Sequence, residues 1–201
     1  LPLILIFIKL PKENIQKDIA KKEGTNNKAS SFINLSFMAF SAGLFLMGIT
    51  VAGTKVHVQP YLISVGYTIK KSANIGSLQA VFSLMGNALG GFVFDKLSLI
   101  KSVTIFTILS LISYGSLLLI GIPLFPVVYA ISFGLFMCMP SILPSFGASA
   151  LFKGENYSEK IGVINMVFTL GSALGSLLSG IIADIRGYSF AWFIYIIISL
   201  S

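Results

Sequence analysis

Apolar residues in this chain fall into long runs, and the polar residues collect between the runs. The first complete run spans about Phe32 to Gly53, followed by a polar stretch with Lys55, His57, Gln59, Pro60 and Tyr61, then Lys70 and Lys71. Further runs occupy residues 73–94, 102–121, 126–147 and 161–183, and residues 189–201 begin another. A helix rising about 1.5 Å per residue needs about 20 apolar residues to cross a bilayer core of about 30 Å, and each complete run meets that length. The pattern predicts an all-α integral membrane bundle with five complete spans and part of a sixth. Gly121, Pro123 and Pro126 end the third run, while Pro140 and Pro144 should bend the fourth and free carbonyl groups that could line a path. No Asp, Glu, Lys or Arg falls within a complete run, and an acid or base there would usually mark a site.

Residues 1–8 read as the end of an earlier helix and 9–31 as a basic linker, leaving 32–201 as the bundle. The chain is therefore expected to be an internal piece of a longer protein. With the linker on one face, alternation of the spans places six bases in the linker and two in each of the loops at 95–101 and 148–160 on that face. Only Lys55, Lys70, Lys71 and Arg186 fall on the other face. The excess of Lys and Arg on that face predicts that the 9–31 linker is cytoplasmic. A multi-pass protein of the cell membrane, plasma or inner, is expected.

Composition narrows the class further. Hydrophobic residues make up 55% of the chain and charged residues 10%, and mean hydropathy is +0.91, so lipid is the expected solvent. The net charge of +7 is spread over loops with no aromatic-basic face, which favours anionic lipid over nucleic acid as the partner. The single Cys138 lies in an apolar run, so neither an intrachain disulfide nor a metal-ligand spacing can be drawn. No carboxylate pair in a span, His-x3-His, Ser-His-Asp set or phosphate loop is present, and no catalytic residue, metal or cofactor is expected.

The motif Gly86-x4-Gly91-x3-Asp95 returns as Gly175-x4-Gly180-x3-Asp184, displaced by 89 residues at each position (175−86, 180−91, 184−95). The two copies end oppositely directed spans, which marks an inverted-topology repeat of three helices. A weaker echo pairs Gly43-Leu44-Phe45 with Gly134-Leu135-Phe136. Gly86, Gly90, Gly171, Gly175 and Gly180 suit close helix packing, since small residues let backbones approach. Gln79, Ser83 and Asn87 share one helical face, and Asn165, Thr169 and Ser172 another; each stripe could contact a solute or join helices. His57 is the one side chain that titrates near neutral pH, either wetted at the interface or carrying a coupling proton. Tyr61 beside it suits an interfacial belt or an outer gate.

These residues resemble the C-terminal half of a major facilitator superfamily transporter over nearly the whole chain. Gly91-x3-Asp95-Lys96 is similar to the Gly-x3-Asp-Arg/Lys signature after helix eight. Phe146-Gly147, Gly171-Ser172-Ala173-Leu174-Gly175, Gly180, Asp184 and Gly187 resemble the pattern of helices ten to twelve. His57-x2-Pro60-Tyr61-Leu62 with Gly66-Tyr67 is similar to the outer end of helix seven in the monocarboxylate and oxalate/formate branch. The resemblance implies alternating-access transport of a small solute, such as an organic anion, with a coupling proton or counter-ion. It also implies a gating role for Gly91, Asp95 and Lys96. Where that branch often has Arg or Lys after the first glycine of helix eight, this chain has Asn87, an amide without charge. An anionic solute would then need its positive partner from the missing N-terminal half. A drug or metabolite efflux permease and a non-transporting receptor or scaffold of the same shape are the alternatives.

Overall fold

The computed structural model describes residues 35–152 and 157–201, and all of its regular structure is helical. The helices are α1 (Leu35–Ser64), α2 (Ile69–Lys96), α3 (Leu99–Leu118), α4 (Phe125–Phe136), α5 (Cys138–Leu151), α6 (Tyr157–Arg186) and α7 (Tyr188–Leu200). Taking α4 and α5 as one segment, five are long and apolar enough to cross a membrane. The apolar tail at 1–8, the linker at 9–31 and most of the loop after α5 lie outside the described residues.

α2 and α6 each begin four residues before the spans read in the sequence, at Ile69 and Tyr157, so that Lys70 and Lys71 lie within α2, and two boundaries differ more deeply. The first helix does not stop at Gly53; it continues to Ser64, carrying Lys55, His57, Gln59 and Pro60 as helical residues. A proline near the end of a helix removes one hydrogen bond, and the later turns persist because their side chains pack on other helices. The stop is set at Gly66, whose φ of 101° is costly for any residue with a Cβ. The Gly66 amide donates to the Ile63 carbonyl at 3.0 Å and the Tyr67 amide to Leu62 at 3.0 Å, the paired bonds of a Schellman cap. The fourth span is broken at Met137 into α4 and α5. Pro140 and Pro144 cannot donate to the Phe136 and Pro140 carbonyls, so the expected bend appears as a break one turn earlier.

The bundle has two ends. At one, Tyr61 and Tyr67 donate their hydroxyl groups to the Leu117 and Ile120 carbonyls, at 2.9 and 2.8 Å. At the other, Phe37 and Phe40 at the start of α1 meet Phe152 after α5, and Phe94 near the end of α2 meets Phe106 and Phe146. Successive long segments therefore alternate in direction between a Ser64 end and an Asp95 end. α2 and α6 run oppositely, each with a lysine near its start and an aspartate near its end (Lys71 and Asp95; Lys160 and Asp184). The separation is the same in both (95−71 and 184−160, 24 residues), or about 36 Å of helix, just longer than a hydrocarbon core.

The most extensive packing joins α1 to α6 and α2 to α4, and in both pairs the helices run parallel. α3 packs on α4 and α7, and α7 closes on α1, α3 and α6. An aromatic chain runs inward from the half-buried Tyr188 at the Ser64 end through the buried Tyr61, Trp192, Tyr195, Tyr114 and Phe133.

Candidate functional site

Glycine sets the α1–α6 contact. A Cβ on Gly48 would lie 2.5 Å from the Phe168 carbonyl oxygen and 2.9 Å from the Ser172 amide nitrogen. One on Gly171 would strike the Phe45 backbone, one on Gly175 the Ile49 backbone, and one on Gly53 the Ser179 and Tyr195 hydroxyl groups. These contacts keep one register (171−45, 175−49 and 179−53, each 126), so the seam is a ladder between parallel helices. Without a hydrophobic drive between helices in lipid, such backbone approach supplies the dispersion contact that holds them. Gly171 and Gly175 thus lie where the α6 backbone comes closest to that of α1.

The α2–α4 contact repeats this plan. A Cβ on Gly86 would lie 2.7 Å from the Leu135 carbonyl oxygen, and one on Gly134 would lie 2.6 Å from the Phe82 Cβ and 2.7 Å from the Gln79 carbonyl oxygen. A Cβ on Gly90 would lie 2.7 Å from the Cys138 sulfur. The 89-residue shift carries Gln79, Phe82 and Gly86 onto Phe168, Gly171 and Gly175, which surround Gly48 and Ile49 as the first three surround Gly134 and Leu135. Gly134 and Leu135 therefore correspond to Gly48 and Ile49 (134−48 and 135−49, both 86). The echo with Gly43 used the wrong register, because glycine-leucine-phenylalanine triplets recur easily in apolar text.

The structure divides the polar stripe of α2. Gln79 accepts a hydrogen bond from the Tyr129 hydroxyl at 3.2 Å and so joins α2 to α4. Ser83 is half-buried, whereas Asn87 is exposed and its amide has no partner among the described residues. On α6, the Thr169 hydroxyl donates to the Asn165 carbonyl at 2.8 Å and that of Ser172 to Phe168 at 3.0 Å, leaving the exposed Asn165 amide open. Helical rise places Asn87 about 12 Å from Asp95 and Asn165 about 7.5 Å from Lys160, so the open amide of α6 lies nearer the Asp95 end than that of α2. Both helices are mostly uncovered, and Leu84, Leu89, Leu170 and Leu174 are exposed alongside these groups.

Gly91 of the loop motif faces open space, where a Cβ would meet nothing within 4 Å; a Cβ on Gly180 would lie 3.3 Å from the His57 ring. Asp95 is exposed and unpaired among the described residues, and Lys96 holds its ammonium 4.2 Å from the Phe92 ring centre. An aspartate in the last turn opposes the negative end of the helix dipole, so Asp95 is not there to stabilise α2. Tyr61 is buried in the aromatic chain rather than placed in a wet belt, and its hydroxyl is already engaged. His57 is half-buried between α1 and α6, with Nε2–H donating to the Ser176 carbonyl at 2.9 Å.

Two interhelical contacts had no clear sequence signal. Ser72 donates to the Gln59 side chain, clasping α1 to α2, and Tyr129 finds Gln79 fifty positions away. The amphipathic residues were visible, but their partners are set by tertiary register. No group of three or more metal-ligating side chains is present among the described residues. Comparison with family models, curated proteins and solved structures returns no match, so the functional reading rests on the residues themselves.

Proposed function

We propose that this chain is the C-terminal half of a major facilitator-type secondary transporter, moving a small solute by alternating access. The observation that carries the reading is the pair of parallel seams related by constant shifts, since α2 and α6 run in opposite directions while making equivalent contacts. That relation is the form an inverted repeat takes, and transporters built from such repeats hold solute near mid-membrane and expose it by rocking one bundle against another. The open amides of Asn87 and Asn165, with Thr169, supply neutral hydrogen-bonding groups on the uncovered helices. In this reading the N-terminal half covers those faces, and Asp95 engages a helix N-terminus there and releases it during rocking. An organic anion would draw its positive partner from that half.

Counterflow in proteoliposomes of the full-length protein tests the proposal, using labelled monocarboxylates, dicarboxylates and amphiphilic cations as separate probes. Exchange of one class is expected, and the Asn87→Leu variant should insert normally yet lose that exchange. Normal exchange in the variant removes Asn87 from the path, and absence of exchange for every class favours a receptor or scaffold.

A further inference from the structure

The neutral His57 ring has one engaged nitrogen and one stranded nitrogen. Nε2–H donates to the Ser176 carbonyl, which fixes the tautomer and leaves Nδ1 as a lone-pair acceptor. Nδ1 is buried and has no hydrogen-bond partner among the described residues. The ring rests over Gly180 and lies 5.9 Å, centre to centre, from Tyr188. A proton added at Nδ1 would create a charge and a donor where no acceptor stands, so the ring could not keep its present position.

The register of the seam indicates where it would go. The 126-residue spacing that joins Phe45, Ile49 and Gly53 to α6 places the His57 backbone opposite Ala183, beside Asp184. Ser176, Gly180 and Asp184 follow at four-residue steps on one face of α6, so a ring bonded at Ser176 and seated on Gly180 has Asp184 one turn further along that face, toward the Ser64 end. Asp184 is exposed. The remaining titratable or charged groups at this end of α1, α6 and α7 are Lys55, exposed on α1; Tyr61, committed to Leu117; Arg186 at the end of α6, 4.9 Å from the Phe190 ring; and Tyr188 on α7. Asp184 is the one carboxylate among them.

We infer that His57 is a proton-binding latch between α1 and α6, held on the Ser176 carbonyl when neutral and transferred to the Asp184 carboxylate when protonated. The step is a proton gain at Nδ1 with exchange of one hydrogen bond for a charge-assisted one, and the Ser176 carbonyl keeps its helical partner. Resting on the transport reading, the latch identifies the coupling ion as a proton and places its site at the Ser64 end of the seam.

Imidazole NMR of the full-length protein, labelled at histidine and followed from pH 8 to pH 5, tests it. The resonance absent from His57→Gln belongs to His57. It should show the Nε2–H tautomer at high pH and a doubly protonated ring at low pH, and the transition should differ in Asp184→Asn, which removes the charged acceptor. No transition over that range, or the same transition in Asp184→Asn, overturns the latch. With labelled lactate as the probe, uptake driven by a proton gradient should be lost in His57→Gln while counterflow at equal pH persists. Retained gradient-driven uptake overturns the coupling role. Absence of lactate counterflow in the unsubstituted protein counts against carboxylate transport, and the latch is then decided by the NMR transitions alone.

Discussion

The two parallel seams follow one plan in different materials. α1 and α6 are each 30 residues long and meet backbone to backbone through Gly48, Gly171 and Gly175, with no break between Phe45 and Gly53. α2 meets α4 in the same way at Gly86 and Gly134, but one turn later its partner chain breaks at Met137 and Gly90 faces the Cys138 side chain instead. Where backbone meets backbone, as at Gly48, Gly171 and Gly175, nothing can rotate out of the way. A helix held in part by a side chain, next to a break, can adjust. The first seam should therefore tolerate added volume least.

The largest effect is expected for Gly175→Val. Its methyl groups would enter the Ile49 backbone, and overpacking of this kind costs about 3 kcal/mol or more. Gly91→Val, where nothing lies within 4 Å, should differ little from the unsubstituted protein. Thermal unfolding in detergent, reported by a thiol-reactive dye at the buried Cys138, measures both. Equal stability of the two variants would mean that α1 and α6 do not touch at this glycine.

A smaller loss, about 1–2 kcal/mol, is expected for Gly90→Ala, since the Cys138 sulfur can turn aside although its Cβ must shift. Urea unfolding should show Cys138→Gly restoring part of the loss, and a double variant no better than Gly90→Ala would contradict the contact. Smaller still is Tyr129→Phe, which removes the bond to Gln79 and leaves the ring in place. Hydrogen bonds between membrane helices contribute about 0.6 kcal/mol on average, so the change should be close to that, and a double-mutant cycle with Gln79→Leu should recover it as the coupling.

The sequence displayed the spans because each is a run of apolar residues bounded by charges that cannot enter lipid, and the shift between α2 and α6 because glycines and aspartates stood out at both copies. It did not display the end of α1. Lys55, His57 and Gln59 mark where the chain can meet water, but a helix can continue past the hydrocarbon edge when Tyr61 and Leu62 still have helices to pack on. Nor did it display the register of α1 against α4, since Gly48 and Gly134 are recognisable as equivalents only through the residues that surround them. Among the candidate path residues, Asn87 and Gln79 were indistinguishable on one helical face. Tyr129, far off in sequence, is what separates them, and only folding brings it to Gln79.

The central claim is that α2 and α6 cross lipid in opposite directions with matched ends. Single-cysteine variants Lys71→Cys and Lys160→Cys, each in the full-length protein and labelled in intact vesicles with a membrane-impermeant maleimide, test it most directly. The account predicts that the two label from opposite faces, Lys71→Cys with Asp184→Cys and Lys160→Cys with Asp95→Cys. Labelling of Lys71→Cys and Lys160→Cys from the same face would contradict it.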